Sequence, residues 1–399
     1  MVPVSSSPAP LLSRVALRNY RSIEECDVEL RPLTYLVGPN GSGKSNFLDA
    51  LRLVVDALTT TLDHALRDRG GIQEVRRRSA GHPTHFGIRL DFALDDSSGH
   101  FAFEVAARPG GTFAIKHEEC VLGTAHYDVR EGSVVRSSLS SMPPAASDRL
   151  YLVTASGLPE FRRAYDALSR MGFYSPSPEK MRELQTADRG DVLKRDASNI
   201  ASVLTRLDAP EHVETKDRIR DYLARVVPGI TGFDHRRMGH METFEVRQLV
   251  EGATNAWKFP AINMSDGTLR ALAVLVALFQ PALTTPRIRL IGIEEPETSL
   301  HPAAAGVLRD CIAEASRSVQ VVVTSHSADL LDDPDLSPDV LRAVEASGGR
   351  TTIGAIDAAS REALREKLYT AGDLLRAGQL APDVTTARRQ LNLFGDGSA

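Results

Sequence analysis

The first third of the chain alternates apolar and polar residues in short runs. This period of two predicts half-buried strands at residues 12–18, 86–94, 101–107 and 112–122. Turns rich in Gly, Pro and Ser separate them, and residues 26–30 are predicted to pair with the first strand as a hairpin. Together these segments predict an antiparallel sheet.

A second pattern consists of uniformly apolar runs followed by helical periodicity. Apolar strands are predicted at residues 33–37, 288–293 and 320–324, and a helix at about 44–58 follows the first of them. Further helices are predicted at residues 158–171, 200–207, 213–227, 302–316 and 360–368 and from Met264 onward, and further strands at 244–250, at 259–262 and in a hairpin at 343–356. Because buried apolar strands joined by helices are typical of a covered sheet, the chain is predicted to be an α/β protein.

Composition narrows the class of protein. The chain has 399 residues, 42% of them hydrophobic, enough for one large domain or two ordinary ones. A formal net charge of −5 argues against a uniformly basic nucleic-acid binder. Three scattered cysteines and the absence of a signal-peptide pattern predict a reduced, cytoplasmic protein, with a disordered leader at residues 1–10. The longest apolar run, residues 269–279, is shorter than the roughly 20 residues of a membrane span, so no membrane association is predicted.

The most specific motif lies between the strand at residues 33–37 and the helix that follows. It reads GPNGSGKSN and fits the GxxxxGK[ST] pattern of a phosphate-binding loop. Its glycines let the backbone wrap closely around phosphates at a helix N-terminus, which favours anions. Lys44 is expected to reach the β- and γ-phosphates, and the Ser45 hydroxyl to ligate Mg²⁺. The predicted nucleotide-binding residues are Gly38, Pro39, Asn40, Gly41, Ser42, Gly43, Lys44, Ser45 and Asn46.

Two further apolar strands end in residues suited to hydrolysis. The strand at residues 288–293 is followed by Glu294, the predicted metal-side acid, and by Glu295, the predicted general base that polarises water. The strand at residues 320–324 is followed by His326, which is placed to contact a γ-phosphate. Alone, the acids would be a solvated strand end and the histidine a structural residue. Beside a phosphate-binding loop, the functional interpretation is favoured.

A turn of small polar residues opens the helix predicted from Met264. Ser265, Asp266 and Gly267 supply a hydroxyl and backbone N–H groups at a helix start, which form an anion site. An ordinary helix N-cap gives the same pattern, so this turn gains a functional meaning only together with the other motifs.

In chain order, the segments GPNGSGKSN, MSDGTLR, IEEPETSLHP and TSHS resemble the Walker A, signature, Walker B with D-loop, and switch-histidine elements of ABC-type ATPase heads. Within this family, the motifs resemble those of the RecF/SMC/OLD-like group and not those of membrane transporters. The resemblance spans about residues 12–380. It implies a P-loop NTPase fold with an antiparallel β lobe and a helical signature lobe, with ATP and Mg²⁺ as ligands. It also implies an ATP-dependent homodimer, in which Ser265 and Gly267 contact the γ-phosphate held by the second subunit.

The sequence departs from this family in several places. Glu294 stands where many relatives have Asp, and no heptad run predicts a coiled-coil arm. Arg18 or Arg21 could approach the nucleotide from the N-terminal loop. Gln73 and Gln185 are the candidates for the Q-loop glutamine.

The predicted organisation is a head at residues 11–335, with a compact insertion at about 123–260, and a tail at 336–399 that completes it. The resemblance implies an ATPase in DNA repair or in defence against foreign DNA. A Toprim-like nuclease would be a separate chain, because few residues follow His326 and the acids Asp332, Asp333 and Asp335 lack a strand pattern. Alternatives are a transporter's nucleotide-binding subunit and a non-catalytic ATP-gated scaffold. Two arginine clusters fit either of two interpretations, contacts to DNA phosphates or a solvated basic face. They are Arg76, Arg77 and Arg78, and Arg236 and Arg237.

Overall fold

A single large sheet organises the chain. The computed structural model describes residues 10–79, 81, 83–252, 254–284, 287–383 and 391–394, so of the predicted leader only Pro10 lies among the described residues. The strands, in chain order, are β1 Leu12–Tyr20, β2 Ile23–Glu29, β3 Leu33–Val37, β4 His85–Leu94, β5 Ser97–Ala107, β6 Phe113–Leu122, β7 Ala125–Arg130, β8 Ser133–Ser137, β9 Gly172–Tyr174, β10 Gln185–Thr186, β11 Ile230–Met238, β12 Met241–Gln248, β13 Trp257–Pro260, β14 Leu290–Glu294, β15 Gln320–Ser325, β16 Leu341–Ser347 and β17 Arg350–Ala355.

Thirteen of these strands form one continuous sheet, in the order β8-β7-β6-β5-β4-β1-β2-β17-β16-β3-β15-β14-β9. The half from β8 to β2 is antiparallel throughout. The other half carries parallel pairs between β3, β15, β14 and β9. Between the two halves lies the hairpin β16–β17, parallel to β3 on one side and to β2 on the other.

Helices cover the sheet and build a second lobe. They are α1 Lys44–Thr59, α2 Leu62–Arg67, α3 Ile72–Val75, α4 Tyr151–Ala155, α5 Pro159–Ser169, α6 Pro178–Arg182, α7 Ile200–Leu207, α8 Val213–Val226, α9 Asp266–Phe279, α10 Ala305–Ala315, α11 Ala358–Arg365 and α12 Ala371–Arg376. The second lobe combines α6 to α9 with a small sheet formed by β10, β11, β12 and β13.

The central strands are buried on both faces. On β15, Val321 and Val323 belong to the core shared with α8 and α9, whereas Val322 belongs to the core shared with α1 and the antiparallel strands. A strand buried on both faces needs no polar alternation, which is why the sequence shows continuous apolar runs here. The predicted α/β class with an antiparallel lobe is confirmed.

Several element boundaries differ from the predictions. The hairpin partner of β1 begins at Ile23, not at residue 26, because Asn19 and Arg21 adopt left-handed backbone conformations (φ 54° and 49°) that tighten the turn. Helix α9 begins after Ser265, whose hydroxyl caps it. Strands β9 and β11 were not predicted, since β9 has only three residues and the exposed end of β11 carries two arginines.

One helical stretch, Asp266–Leu283, is long and apolar enough to cross a membrane by length and composition. It is 78% buried inside the molecule and forms the centre of the second lobe. Its apolar character is therefore explained by packing, and it is weak support for a membrane span.

Candidate nucleotide-binding site

The loop between β3 and α1 depends on glycine at two close contacts. A Cβ atom at Gly38 would lie 2.0 Å from the backbone oxygen of Val344, and one at Gly43 would lie 2.3 Å from Thr351 Oγ1. Gly41 and Gly43 also adopt φ values of 76° and 107°, which side chains strongly disfavour. The hairpin β16–β17 therefore presses against the loop and leaves room for glycine alone.

Lys44, the first residue of α1, folds its side chain over this loop. Its Nζ donates to the backbone oxygens of Gly38 (2.8 Å) and Pro39 (2.9 Å). Burial lowers the pKa of Lys44, and the nearby carboxylates of Glu295 and Glu297 oppose that shift. A buried cation thus faces two acids that come from the distant strand end after β14.

The loop is held from the outside by a chain of hydroxyl groups. Thr351 Oγ1 donates to the Ser42 backbone oxygen (2.8 Å) and lies 2.7 Å from Ser22 Oγ. The Asn46 side-chain amide donates to the same Ser22 hydroxyl at 2.7 Å. The β1–β2 turn, the C-terminal hairpin and the start of α1 are therefore joined at the phosphate-binding loop.

Arg18 and Arg21, the alternative candidates for approaching the nucleotide, lie in different places. Arg21 Nη2 pairs with Asp49 on α1 at 2.9 Å, and its Nη1 lies 3.5 Å from Asn46 Oδ1. Arg69 and Arg52 also contact Asp49, and these charges lower the pKa of that carboxyl against the effect of its burial. Arg18 instead bonds to the backbone oxygen of Leu391, so only Arg21 lies beside the loop.

The acids after β14 lie at the carboxyl end of the parallel strands. Glu295 has a left-handed backbone (φ 42°), and its N–H donates to the backbone oxygen of Thr324 at 3.0 Å. Such a conformation is costly outside glycine and is concentrated at functional sites. Glu294 accepts a hydrogen bond from Arg195 Nη2 at 2.7 Å, so the predicted metal-side acid is paired with an arginine that the sequence did not indicate.

His326 and Glu295 contact each other directly. The distance from His326 Nδ1 to Glu295 Oε1 is 3.1 Å, and both side chains are about one-third exposed, at 38% and 31%. Glu295, the predicted base, and His326, the predicted phosphate contact, therefore form one pair.

Glu297 is a third acid at this strand end. Its Oε1 accepts from Ser325 Oγ at 2.6 Å, while its buried Oε2 has no hydrogen-bond partner in the part of the chain that the structure describes. Burial raises the pKa of Glu297, and the neighbouring Glu295 carboxylate raises it further. The sequence could have indicated this residue, because Glu297 follows the apolar strand β14 within three residues and so lies at the same edge of the sheet as Glu294 and Glu295.

The turn at Ser265 is exposed and caps α9. Ser265 Oγ accepts from the Thr268 N–H at 3.2 Å, and Asp266 pairs with Arg182 at 2.5 Å. A Cβ at Gly267 would lie 2.5 Å from the backbone oxygen of Ser299, so the turn packs against the loop that follows Glu295. The turn thus sits next to the acidic segment, with its hydroxyl serving as the helix cap.

The loop fits a bound phosphate group. Among the described residues, the buried Ser42 hydroxyl has no hydrogen-bond partner, Lys44 supplies a cation, and the glycines leave the backbone open. Within the described ranges, no cluster of three or more His, Cys, Asp or Glu side chains could hold a metal alone. Mg²⁺ commonly takes one or two protein ligands together with substrate phosphates, and Ser45 and Glu294 suit that arrangement.

Other candidates have partners elsewhere. Gln73 accepts from Arg76 at 2.7 Å, and Gln185 accepts from the Ala201 N–H at 2.9 Å within the second lobe. Each of the two arginine clusters has a member in an ion pair, Arg77 with Glu24 at 2.6 Å and Arg236 with Glu245 at 2.5 Å. The acids in the Pro-rich loop have separate cationic partners: Asp332 with Arg376, Asp333 with Arg309 and Asp335 with Lys367.

Comparisons with known proteins agree with this geometry. Residues 141–333 match the family model described as "AAA domain, putative AbiEii toxin, Type IV TA system", and residues 11–118 match "AAA ATPase domain". These matches make the chain similar to P-loop ATPases of the RecF/SMC/OLD-like group. An SMC head bound to the C-winged helix domain of ScpA shares the fold, with a TM-score of 0.56 and 13% identity, over 88% of this chain and 99% of that one. The predicted ABC-type head is thereby confirmed.

The curated relatives match the chain less completely. The Old nuclease of Escherichia phage P2 is 22% identical over 351 residues, which cover 80% of this chain and 57% of that protein. The OLD nuclease of Thermus scotoductus is 47% identical over 45 residues, and RecF of Vibrio vulnificus is 46% identical over 44 residues. These two matches cover 11% of this chain and 8% and 12% of the relatives. The chain thus spans little more than half of the first relative and small parts of the others.

Proposed function

We propose that the chain binds ATP with Mg²⁺ and hydrolyses it to ADP and phosphate. The observation that carries this proposal is the contact of Glu295 with His326 at the ends of β14 and β15, next to the end of β3 from which the Lys44 loop starts. A strand–glycine loop–helix unit that presents a buried lysine is the standard cradle for nucleotide phosphates.

Each side chain has a role that its position allows. Lys44 would exchange its backbone partners for phosphate oxygens and neutralise their charge. Glu295 would accept the proton of the attacking water as that water bonds to the γ-phosphorus and ADP departs with the bridging oxygen. His326, bonded to Glu295, would orient the carboxylate and contact the γ-phosphate. Mg²⁺ would be held by Ser45 and Glu294 and would polarise the phosphates.

The proposal includes a second copy of the chain. Ser265, Asp266 and Gly267 resemble an anion-binding turn by pattern, and their hydrogen bonds run to residues of their own lobe. Ser265 and Asp266 are exposed, so they are accessible to another molecule. We infer an ATP-dependent homodimer in which this turn completes the site of the neighbouring subunit.

The wider role is proposed from the relatives. The phage relative is named a nuclease, and the shared segment covers 57% of it. The three acids of the Pro-rich loop are paired with separate cations, which argues against a nuclease metal site there. We propose a cytoplasmic, ATP-switched dimer without membrane association that acts in DNA repair or defence against foreign DNA together with a Toprim-like nuclease partner.

One observation favours a second candidate function, a non-catalytic ATP-gated scaffold. The Arg195–Glu294 pair occupies the carboxylate that hydrolysis would need for the metal. Arg195→Ala separates the two possibilities, because it frees Glu294. An unchanged rate of phosphate release in this variant supports the hydrolase, whereas turnover that appears only in the variant supports the scaffold.

The test of the composite site uses two variants. Glu295→Gln should retain ATP and Mg²⁺ but lose the base, leaving a long-lived dimer in light scattering with ATP. Ser265→Arg should prevent dimer formation and abolish turnover while calorimetry still shows ATP binding. Lys44→Ala, the control, should lose tight ATP binding. An identical mass of Glu295→Gln with and without ATP, together with full turnover in Ser265→Arg, would show that one chain holds a complete site.

A further inference from the structure

The last described residues of the chain lie on the outer face of the antiparallel lobe. Residues 390–394 read Gln-Leu-Asn-Leu-Phe in the sequence. Leu391 and Leu393 are 4% and 1% exposed, Asn392 is exposed, and Phe394 is half-buried. This alternation is that of an extended segment with one side against the protein.

The surface beneath the segment is a trough of small residues. On β1, Ala16 is completely buried and forms an apolar cluster with Leu391 and Leu393. On β4, Gly87 lies so close that a Cβ atom there would be 2.4 Å from Leu393 Cδ1. Other positions on this outer face carry charged side chains such as Arg14 and Asp91, which pair with each other at 2.9 Å. The trough is therefore shaped for two leucines.

Three side chains beside the trough, two arginines and one histidine, contact the segment. The Arg18 guanidinium donates to the Leu391 backbone oxygen, and Arg89 Nη1 donates to that of Leu393 at 3.0 Å. The ring of Phe394 stacks on His117 with a centroid distance of 3.6 Å and an interplanar angle of 18°. Contacts to backbone oxygens give a bound peptide its affinity, and pockets for alternate side chains give it specificity.

We propose that this face is a binding site for an extended Leu-x-Leu-Phe peptide, and that the chain's own C-terminal segment is its resident ligand. The contacts above come from three residues of the segment, Leu391, Leu393 and Phe394, so they need not bind tightly. A tether supplies an effective concentration in the millimolar range, and a dissociation constant of about 0.1 mM in trans would keep roughly nine-tenths of the chains occupied. The site stands apart from the nucleotide-binding loop and does not depend on hydrolysis.

The experiment uses full-length chains and a fluorescein-labelled synthetic peptide of residues 388–399. Leu393→Asp places a charge in the trough and should release the resident segment, so this variant should bind the labelled peptide by fluorescence anisotropy. The wild-type chain should bind it at least tenfold more weakly, because its own segment competes. Gly87→Val, added to Leu393→Asp, should block the trough and remove the binding. Valine suits a strand, but its side chain would clash with the peptide leucine that takes the place of Leu393.

Controls separate lost binding from lost folding. Each variant should melt within a few degrees of the wild type, and a peptide carrying Asp in place of both leucines should not bind. Leu391→Ala is the milder alternative if Leu393→Asp does not fold. It should bind the labelled peptide more tightly than the wild type does, but more weakly than a chain whose segment is fully released. No binding by any folded, released variant, or equal binding with and without Gly87→Val, would overturn the proposal.

Discussion

Thr351→Val tests whether the C-terminal hairpin supports the phosphate-binding loop. Thr351 is 1% exposed, and its hydroxyl both donates to the Ser42 backbone oxygen at 2.8 Å and contacts the Ser22 hydroxyl at 2.7 Å. Valine has nearly the same shape and an equal preference for a strand. The substitution therefore removes the two hydrogen bonds and leaves the packing against Gly43 almost unchanged.

The expected loss of stability in Thr351→Val comes from the buried polar groups that lose their hydrogen-bond partner. A buried carbonyl without its partner costs about 1–3 kcal/mol, so the free energy of unfolding should fall by about 2 kcal/mol. Because Ser42 lies within the loop, its displacement should also weaken ATP binding. A loss of about 1.4 kcal/mol there corresponds to a tenfold higher dissociation constant.

Urea denaturation and calorimetric titration with ATP measure the two effects. Thr351→Ser is the matched control, since it keeps the hydroxyl and loses one methyl group, and it should stay close to the wild type in ATP affinity. If Thr351→Val equals the wild type in both measurements, the hairpin does not hold the loop through this hydroxyl. If Thr351→Ser is as damaged as Thr351→Val, packing and not hydrogen bonding is responsible.

Three further changes probe the fold and the loop. Burial raises the pKa of Glu118 to about 7 from 4.5, so the folded chain binds this proton more tightly than the unfolded chain, and stability should fall as pH rises through this window. Relative to Glu118→Gln, the wild type should lose about 3 kcal/mol between pH 4.5 and pH 8 in urea titrations, and parallel curves would contradict the assignment. Gln320→Leu should cost about 3 kcal/mol by the same method, because Gln320 satisfies both the N–H (2.8 Å) and the carbonyl (2.7 Å) of Leu12, and a loss below about 0.5 kcal/mol would show that these bonds are replaced. Gly38→Ala should weaken ATP binding at least tenfold in calorimetry, whereas Gly306→Ala, in an open helical position, should leave it unchanged.

The sequence predicted the elements whose signals are local. The apolar runs of β3, β14 and β15 and the glycine pattern before Lys44 follow from backbone chemistry within a few residues. The contact between Glu295 and His326 was not itself predicted, although it follows from neighbouring parallel strands that end at one edge of a sheet.

Long-range contacts were not predictable in the same way. The hairpin β16–β17 was expected as an element, yet its place between β2 and β3 rests on pairings across more than 300 residues, such as Thr351 N–H to the Ser22 backbone oxygen. Arg195 was missed because it lies in a loop without a motif, in a chain rich in arginine. Glu297 was overlooked although the motif contains it, because burial and the bond to Ser325 appear only in three dimensions.

The central claim is that two copies of the chain build one ATP-hydrolysing site from the loop at Lys44 and the turn at Ser265. Steady-state phosphate release, divided by chain concentration and measured across a wide range of that concentration, tests it most directly. The specific rate should rise with concentration at saturating ATP and Mg²⁺, then reach a plateau as dimers saturate, and Glu295→Gln should remain inactive throughout. A specific rate that is constant at every concentration, or a complete absence of turnover in the wild type, would contradict the account.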